Sequence, residues 1–190
     1  MMTIDQISRT LLLHHPAQLL QDEFPGFTRA AVLIPLFKSS GDISLLLTMR
    51  TSDVETHKGQ ISFPGGMQDS SDQNAVDTAL REMHEELGIE PRHVRILGTL
   101  DDHPVPSKFI ITPVVGYLEE RPSVSPNSSE VAEVFDVPLS FFGDRKNGRS
   151  EERELYGKKY VVWFYQYEKY LVWGATAAMI RNLIGVAGGY

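Results

Sequence analysis

The 190-residue sequence has no cysteine, which excludes disulfides, zinc–cysteine sites and thiol catalysis. It also lacks a long apolar run. The longest, AAVLIPLF at 30–37, falls far short of the ~20 residues that span a bilayer. Nor does it open like a signal peptide, since Arg9 is the only basic residue ahead of the short LLL run and Asp5 precedes it. The expectation is a soluble, cytoplasmic protein. Positive charge is in deficit, with 18 Lys and Arg against 25 Asp and Glu, a net −7. That balance argues against general adhesion to nucleic acid or to an anionic membrane. An anionic ligand held through a metal remains compatible with it.

What is present is ordinary globular composition, 42% hydrophobic and 23% charged. At this length it predicts one domain over 1–190, with enough buried surface to need no staples. No internal repeat or low-complexity linker interrupts it. Thr3 and Gln6 form a capping-box pattern ahead of Ile4, Ile7, Leu11 and Leu12 at helical spacing, so a helix is expected over about 3–13. FTRAAVLIPLF and ISLLLTMR read as strands joined by a hairpin turn at SSGD. Residues 51–72 are rich in Gly, Pro, Asp and Ser and read as a long loop. A helix is expected from Asn74 to Leu87, stopped by Gly88. Strands follow near 94–100 and 109–117, then a break at 121–126 and a short helical stretch around 130–135. Residues 143–154 carry 8 charged residues of 12, as in a surface loop or the outer part of a hairpin. KKYVVWFYQY is a strand, and a last helix spans about 175–187. Strands interleaved with few helices predict an α/β layered domain.

The segment 79–89, ALREMHEELGI, carries the most chemistry. On a helical wheel with Glu82 at about 0°, Glu85 falls near 300° and Glu86 near 40°. The three carboxylates share one face, and Val76, Leu80, Met83 and Leu87 cluster between about 100° and 160°. Like charges at this spacing cost a helix a few tenths of a kcal/mol, which a cation offsets. Arg81 neutralises one carboxylate. Hard divalent ions take oxygen ligands, and Mg²⁺ bridges carboxylates to substrate phosphates. A solvated charged face with intrahelical pairs is the alternative reading of the same residues. Pro64-Gly65-Gly66 upstream makes a tight loop where backbone can approach a phosphate or metal.

These residues together resemble the Nudix box, glycine-x5-Glu-x7-Arg-Glu-apolar-x-Glu-Glu-x-Gly-apolar. Gly66, Arg81, Glu82, Met83, Glu85, Glu86, Gly88 and Ile89 match it. The first Glu does not match. Counted from Gly66 its position is Asp72, and counted back from Arg81 it is Gln73. A one-residue insertion, with Asp in place of Glu, explains both counts. Leu46, Leu47, Thr48, Arg50, Gly59, Phe63, Pro64, Gly65 and Gly66 further resemble the pattern of the coenzyme A pyrophosphatase branch. Thr51 departs mildly from it. Glu55 departs by reversing the charge of an expected Arg, with His57 and Lys58 close by.

The resemblance implies an α/β/α sandwich with a mixed β-sheet. It implies an enzyme that hydrolyses a diphosphate bond in a nucleoside diphosphate derivative. The branch points to coenzyme A or its thioesters, giving 3′,5′-ADP and 4′-phosphopantetheine or its acyl derivative. Mg²⁺ or Mn²⁺ would be held by Glu82, Glu85, Glu86 and the Gly66 carbonyl, with Arg81 orienting a carboxylate. Arg50, His57, Lys58, Gly65 and Gly66 are candidate substrate contacts. Glu82, Glu130 and Glu133 are candidates for the general base. ADP-ribose or a dinucleotide is the alternative substrate, and a non-catalytic Nudix-fold ligand-binding regulator the alternative class. The partner expected is a small nucleotide, with monomer and homodimer both open.

Several residues have plainer readings. The six histidines show no zinc-site spacing, and Asn127-Ser128-Ser129 reads as a turn. Asp101-Asp102 is divided between metal ligation and a strand-end turn. Phe63 and Phe109 are read as core before ligand contacts.

Overall fold

The computed structural model describes residues 2–39, 41–51, 59–155 and 158–188. The apolar run is the centre of the fold. Strand β1 (Thr28–Ser39) pairs in parallel with β7 (Phe109–Leu118) from Thr28 to Phe37. A strand buried on both faces needs no polar alternation, which is why 30–37 reads as one continuous hydrophobic stretch. β1 also pairs with β4 (Gly65–Met67) at Ala30–Val32 and with β2 (Asp42–Arg50) at Leu36–Ser39. Pro35 falls between these two partners, where its missing N–H is tolerated. β5 (Arg95–Thr99) and β6 (His103–Val105) pair with β7. β3 (Ile61–Ser62) and β8 (Val131–Pro138) pair with β2, completing a mixed eight-stranded sheet.

Side-chain parity along β1 divides the core. Ala31, Leu33 and Phe37 pack with Ala79, Met83 and Leu87 of α2 (Ala75–Leu87). Val32, Ile34 and Leu36 pack on the other side with Ile4, Ile7 and Leu11 of α1 (Ile4–Leu13) and with Ile180, Leu183 and Ile184 of α4 (Gly174–Val186). The expected α/β/α sandwich is therefore present. A short helix α3 (Leu139–Gly143) and an antiparallel sheet of β9 (Gly148–Leu155), β10 (Lys158–Tyr167) and β11 (Tyr170–Trp173) join the second layer.

The first helix starts as the capping box predicts, with the Gln6 N–H donating to Thr3 Oγ1 and the Thr3 N–H donating to Gln6 Oε1. Two expectations are corrected, and a third is decided between its alternatives. Of residues 130–135, Val131 onward is strand, not helix. Val131, Phe135 and Val137 are buried, and the segment pairs with Ser44–Arg50. Long-range pairing outweighs local propensity there. The stretch 51–72 contains β3 and β4, held by partners distant in sequence. The charged stretch 143–154 leads into β9, whose Arg149 and Arg153 lie over the Phe164 ring. It is thus the outer half of a hairpin.

Asp101 and Asp102 divide in favour of structure. The Asp102 side chain is 2% exposed and accepts hydrogen bonds from Arg29 Nη1, Thr112 Oγ1 and the Leu19 N–H. Asp101 accepts from the Ala17 N–H and Asn182 Nδ2, with His14 Nε2 at 3.2 Å. Together they strap the segment after α1 to the sheet. Asp102→Ala is expected to cost about 2–4 kcal/mol, because it strands a half-buried guanidinium and loosens that strap. Denaturant unfolding together with limited proteolysis near residues 14–20 checks this.

Candidate active site

Helix α2 is fixed at both ends by its own sequence. Asn74 Oδ1 accepts from the Val76 and Asp77 N–H groups at 2.8 and 3.1 Å. Gly88 ends the helix in the left-handed region at φ 68°, its N–H donating to the His84 carbonyl. With Met83 and Leu87 packed under the sheet, the carboxylate face turns toward β4 and the end of β2.

The three carboxylates on this face have different surroundings. Glu86, closest on the wheel to the packed stripe, is 4% exposed. Burial raises its pKa to about 7, against the opposing pull of Arg50 and a hydrogen bond from the Gly65 N–H; Glu130 and Glu82 raise it further. Glu82 is 16% exposed, and burial raises its pKa against the hydrogen bond from Arg81. Glu85 is 52% exposed.

Arg81 organises the opposite side of this cluster. Its Nε and Nη2 donate to the two oxygens of Asp72 at 3.1 and 2.9 Å. Nη1 donates to Glu82 at 2.8 Å and Glu85 at 3.1 Å, and Nη2 also donates to the Met67 carbonyl. The Asp72 side chain is 5% exposed, and the Arg81 guanidinium holds it well below the usual carboxylate range. Of the two counts across the inserted residue, the structure selects Asp72. Gln73 offers its backbone N–H to Asp77 instead.

The paired glycines have separate causes. A Cβ on Gly65 would lie 2.4 Å from the Ala31 carbonyl oxygen and 2.7 Å from the Val32 Cα, so strand pairing demands glycine there. A Cβ on Gly66 would lie 2.5 Å from the Glu82 carboxylate, so the helix carboxylate rests directly against the loop backbone. The oxygen donors gathered beside this loop fit a hard divalent cation, and Glu82, Glu86 and the Gly66 carbonyl are the groups that would hold one. Among the described residues no three acidic or histidine side chains stand converged on one point, as Arg81 engages Glu82 and Glu85.

A later segment closes the site. The Ser125 and Asn127 N–H groups donate to the Leu87 and Glu86 carbonyls, capping the last turn of α2. Asn127 Oδ1 takes the Ser129 N–H and hydroxyl, and its Nδ2 donates to Glu130 Oε1 at 3.0 Å. The Thr51 N–H donates to the Glu130 carbonyl, tying this turn to the end of β2. Glu130 is thus aimed at Glu82 and Glu86, whose pKa values its charge raises. Asn127 is the positioning residue that sequence reading left as a bare turn; its spacing to Glu130 is the signal that was there. Glu133 instead accepts from Tyr170 Oη at 2.7 Å and Lys169 Nζ at 2.9 Å, which lower its pKa.

The structure therefore gathers Arg81, Glu82, Glu85, Glu86, Gly65, Gly66 and Arg50. The Arg50 Nε is buried without a hydrogen-bond partner. His57 and Lys58, with Glu55, lie outside the described residues. Phe63 is core at 2% exposure, and Phe109 is half-buried.

Residues 27–158 match the NUDIX domain family. Nudix hydrolase 15, mitochondrial, of Arabidopsis thaliana is 40% identical over 167 residues, covering 83% of this chain. The chain spans 58% of that protein's length. A Citrobacter koseri protein described as the uncharacterized Nudix hydrolase NudL is 40% identical over 172 residues, covering 87% of this chain and 88% of its own. Among solved structures, a Nudix hydrolase from M. smegmatis, RenU, superposes with a TM-score of 0.54 at 24% identity. It covers 60% of this chain and 72% of its own, and the likeness is one of fold.

Two outcomes follow from this geometry. Gly66→Ala meets only a mobile carboxylate, so it should keep a near-wild-type melting temperature while displacing Glu82 and weakening divalent-ion binding. Gly65→Ala meets backbone and should cost about 1–3 kcal/mol. Thermal unfolding with Mn²⁺ titration separates the pair.

The second outcome concerns pH. Glu86 has a folded pKa of about 7, above its unfolded value of 4.5. Its contribution is fully present below pH 4.5 and is lost as pH rises through about 7. Metal-free wild type should therefore lose stability on the order of 1–3 kcal/mol across that window relative to Glu86→Gln. Parallel urea titrations from pH 4.5 to 8 measure the difference, and equal slopes for the two proteins would refute it.

Proposed function

The chain belongs to the Nudix hydrolase family, and from that premise we propose that its substrate is coenzyme A or a coenzyme A thioester. As an enzyme of this family it cleaves a diphosphate bond in a nucleoside diphosphate derivative. The products of the proposed reaction are 3′,5′-ADP and 4′-phosphopantetheine or its acyl form. The observation that carries the reading is the buried carboxylate Glu86, set between Gly65, Arg50 and two further carboxylates. The run from Leu46 to Gly66 supports the coenzyme A branch, because the structure gathers Arg50, Gly65 and Gly66 at that same cluster.

Hydrolysis requires water to attack phosphorus while the bond to the bridging oxygen breaks, against a concentration of negative charge. Mg²⁺ or Mn²⁺, when bound, neutralises the diphosphate and lowers the pKa of its water. Glu82, Glu86 and the Gly66 carbonyl would hold the ion, and the exposed Glu85 would supply a further carboxylate. Arg81 remains neutralised by Asp72 and bonded to the Met67 carbonyl when Glu82 and Glu85 turn from it, so the helix keeps its position against the loop. Arg50 offers an unpaired N–H to a phosphate oxygen.

Glu130 is assigned as general base. One of its oxygens is oriented by Asn127, beside Glu82 and Glu86. Glu133 is a weaker base, already paired with Tyr170 and Lys169. Glu55 favours a second reading, in which another nucleotide such as ADP-ribose or a dinucleotide is cleaved, because it places an acid where the branch pattern has an Arg.

A substrate panel with Mg²⁺ and with Mn²⁺, products identified by mass, tests the assignment. Coenzyme A should yield 3′,5′-ADP at the highest kcat/KM. Preferential cleavage of ADP-ribose or a dinucleotide would replace it with the second reading. Glu130→Gln should lower kcat about 10²–10⁴-fold with little change in KM, while Glu133→Gln stays within about tenfold.

A further inference from the structure

The second sheet ends in an open edge. Its order is β11–β10–β9, and among the described strands β9 pairs only with β10. The body of the protein lies toward the other edge, where Tyr170 and Val172 of β11 are buried in the core. β9 therefore carries a row of backbone N–H and C=O groups that face away from the molecule. Arg149, Ser150, Glu152, Arg153 and Glu154 along it are exposed. Such an edge is a template for another strand, and charged side chains ordinarily keep copies apart there.

The side chains of β9 are held in order. Arg149 and Arg153 lie over the Phe164 ring, 4.3 and 5.4 Å from its centroid. Trp173 of β11 stacks parallel to the same ring at 6.0 Å. Glu151 accepts a hydrogen bond from each of the two arginines. Arg149, Glu151 and Arg153 thus form a row of alternating sign on one face of the sheet.

The order of signs selects one way for β9 to meet itself. When two identical strands pair antiparallel about a two-fold axis, opposite residues share a face. The axis then passes through a residue and sets it against its own copy. An axis through Arg149, Glu151, Glu152, Arg153 or Glu154 brings like charges face to face at about 5 Å, which is destabilising. Ser150 is the one uncharged residue from 149 to 154. An axis through Ser150 sets Arg149 opposite Glu151 of the second copy, and Glu151 opposite its Arg149. Gly148 then lies opposite Glu152, so no like charges meet along the strand.

We propose that β9 is the interface of a homodimer, paired antiparallel about Ser150 so that two three-stranded sheets become one of six strands. The occupant of the open edge is a second copy of this chain. Two reciprocal Arg149–Glu151 pairs fix the register, and Arg153 of each copy continues the alternation of charge outward from the axis. None of the candidate active-site residues lies on β9, so the inference stands apart from the substrate assignment.

The test uses the absence of cysteine. Ser150→Cys introduces the sole thiol of the chain, on an exposed side chain. Directly opposite Cα atoms lie about 4.5–5.5 Å apart, within disulfide reach. Glu152→Cys is the control, since the same register separates its two copies by about 14 Å along the strands, beyond that reach. Under mild oxidation Ser150→Cys should run as a covalent dimer on a non-reducing gel while Glu152→Cys stays monomeric. Sedimentation of the wild type should show a concentration-dependent dimer. Arg149→Glu should weaken that dimer about tenfold, and the swap Arg149→Glu with Glu151→Arg should recover it. A wild type that stays monomeric up to roughly 1 mM would overturn the proposal. So would a dimer in which Ser150→Cys fails to link, equal linking of the two cysteine variants, or a swap no better than Arg149→Glu alone. The exposed cysteine positions keep the test decisive if Arg149→Glu fails to fold.

Discussion

Five hydrogen bonds from the Arg81 guanidinium connect a loop, a helix and a strand: Asp72 twice, Glu82, Glu85 and the Met67 carbonyl. Without this hub, three carboxylates crowded on one helix face would repel one another and the glycine loop beside them. With it, Glu82 can rest against the backbone of Gly66, where a Cβ would displace its carboxylate. The bidentate pair with Asp72 is geometrically specific, as guanidinium–carboxylate forks are. Its effect is to fix α2 while Glu82 and Glu85 are each held by a single bond.

A second constraint is the central strand. β1 is buried on both faces, so its alternate side chains anchor α2 on one side and α1 with α4 on the other. The same strand carries β4, and through it the glycine loop, along its edge. Packing and chemistry therefore share one scaffold. Side chains on β1 that hold α2 in place also set the distance between the α2 carboxylates and Gly66.

Sequence reading fails where contacts are long-range. Val131 to Val137 has the local look of a short helix, yet its partner is β2, some eighty residues earlier. Likewise Gly65 to Met67 is a strand because β1 supplies the ladder, not because of its own propensity. Acidic residues show the same split. Glu130 and Glu133 are only three positions apart, but one is turned toward Glu82 and Glu86 and the other is tied to Tyr170 and Lys169.

By itself, the sequence determined the elements whose rules are local. The capped helix from Ala75 to Leu87, its Gly88 stop, the shared carboxylate face and the buried run of β1 all follow from spacing and residue type. The motif from Gly66 to Ile89 identified the family for the same reason, since its residues lie close together in the chain. Only the tertiary structure decided which carboxylate is buried, which acid pairs with Arg81, and which of Glu130 and Glu133 reaches the site. Those outcomes depend on desolvation and charge from elements distant in sequence, and no periodicity within one segment encodes them.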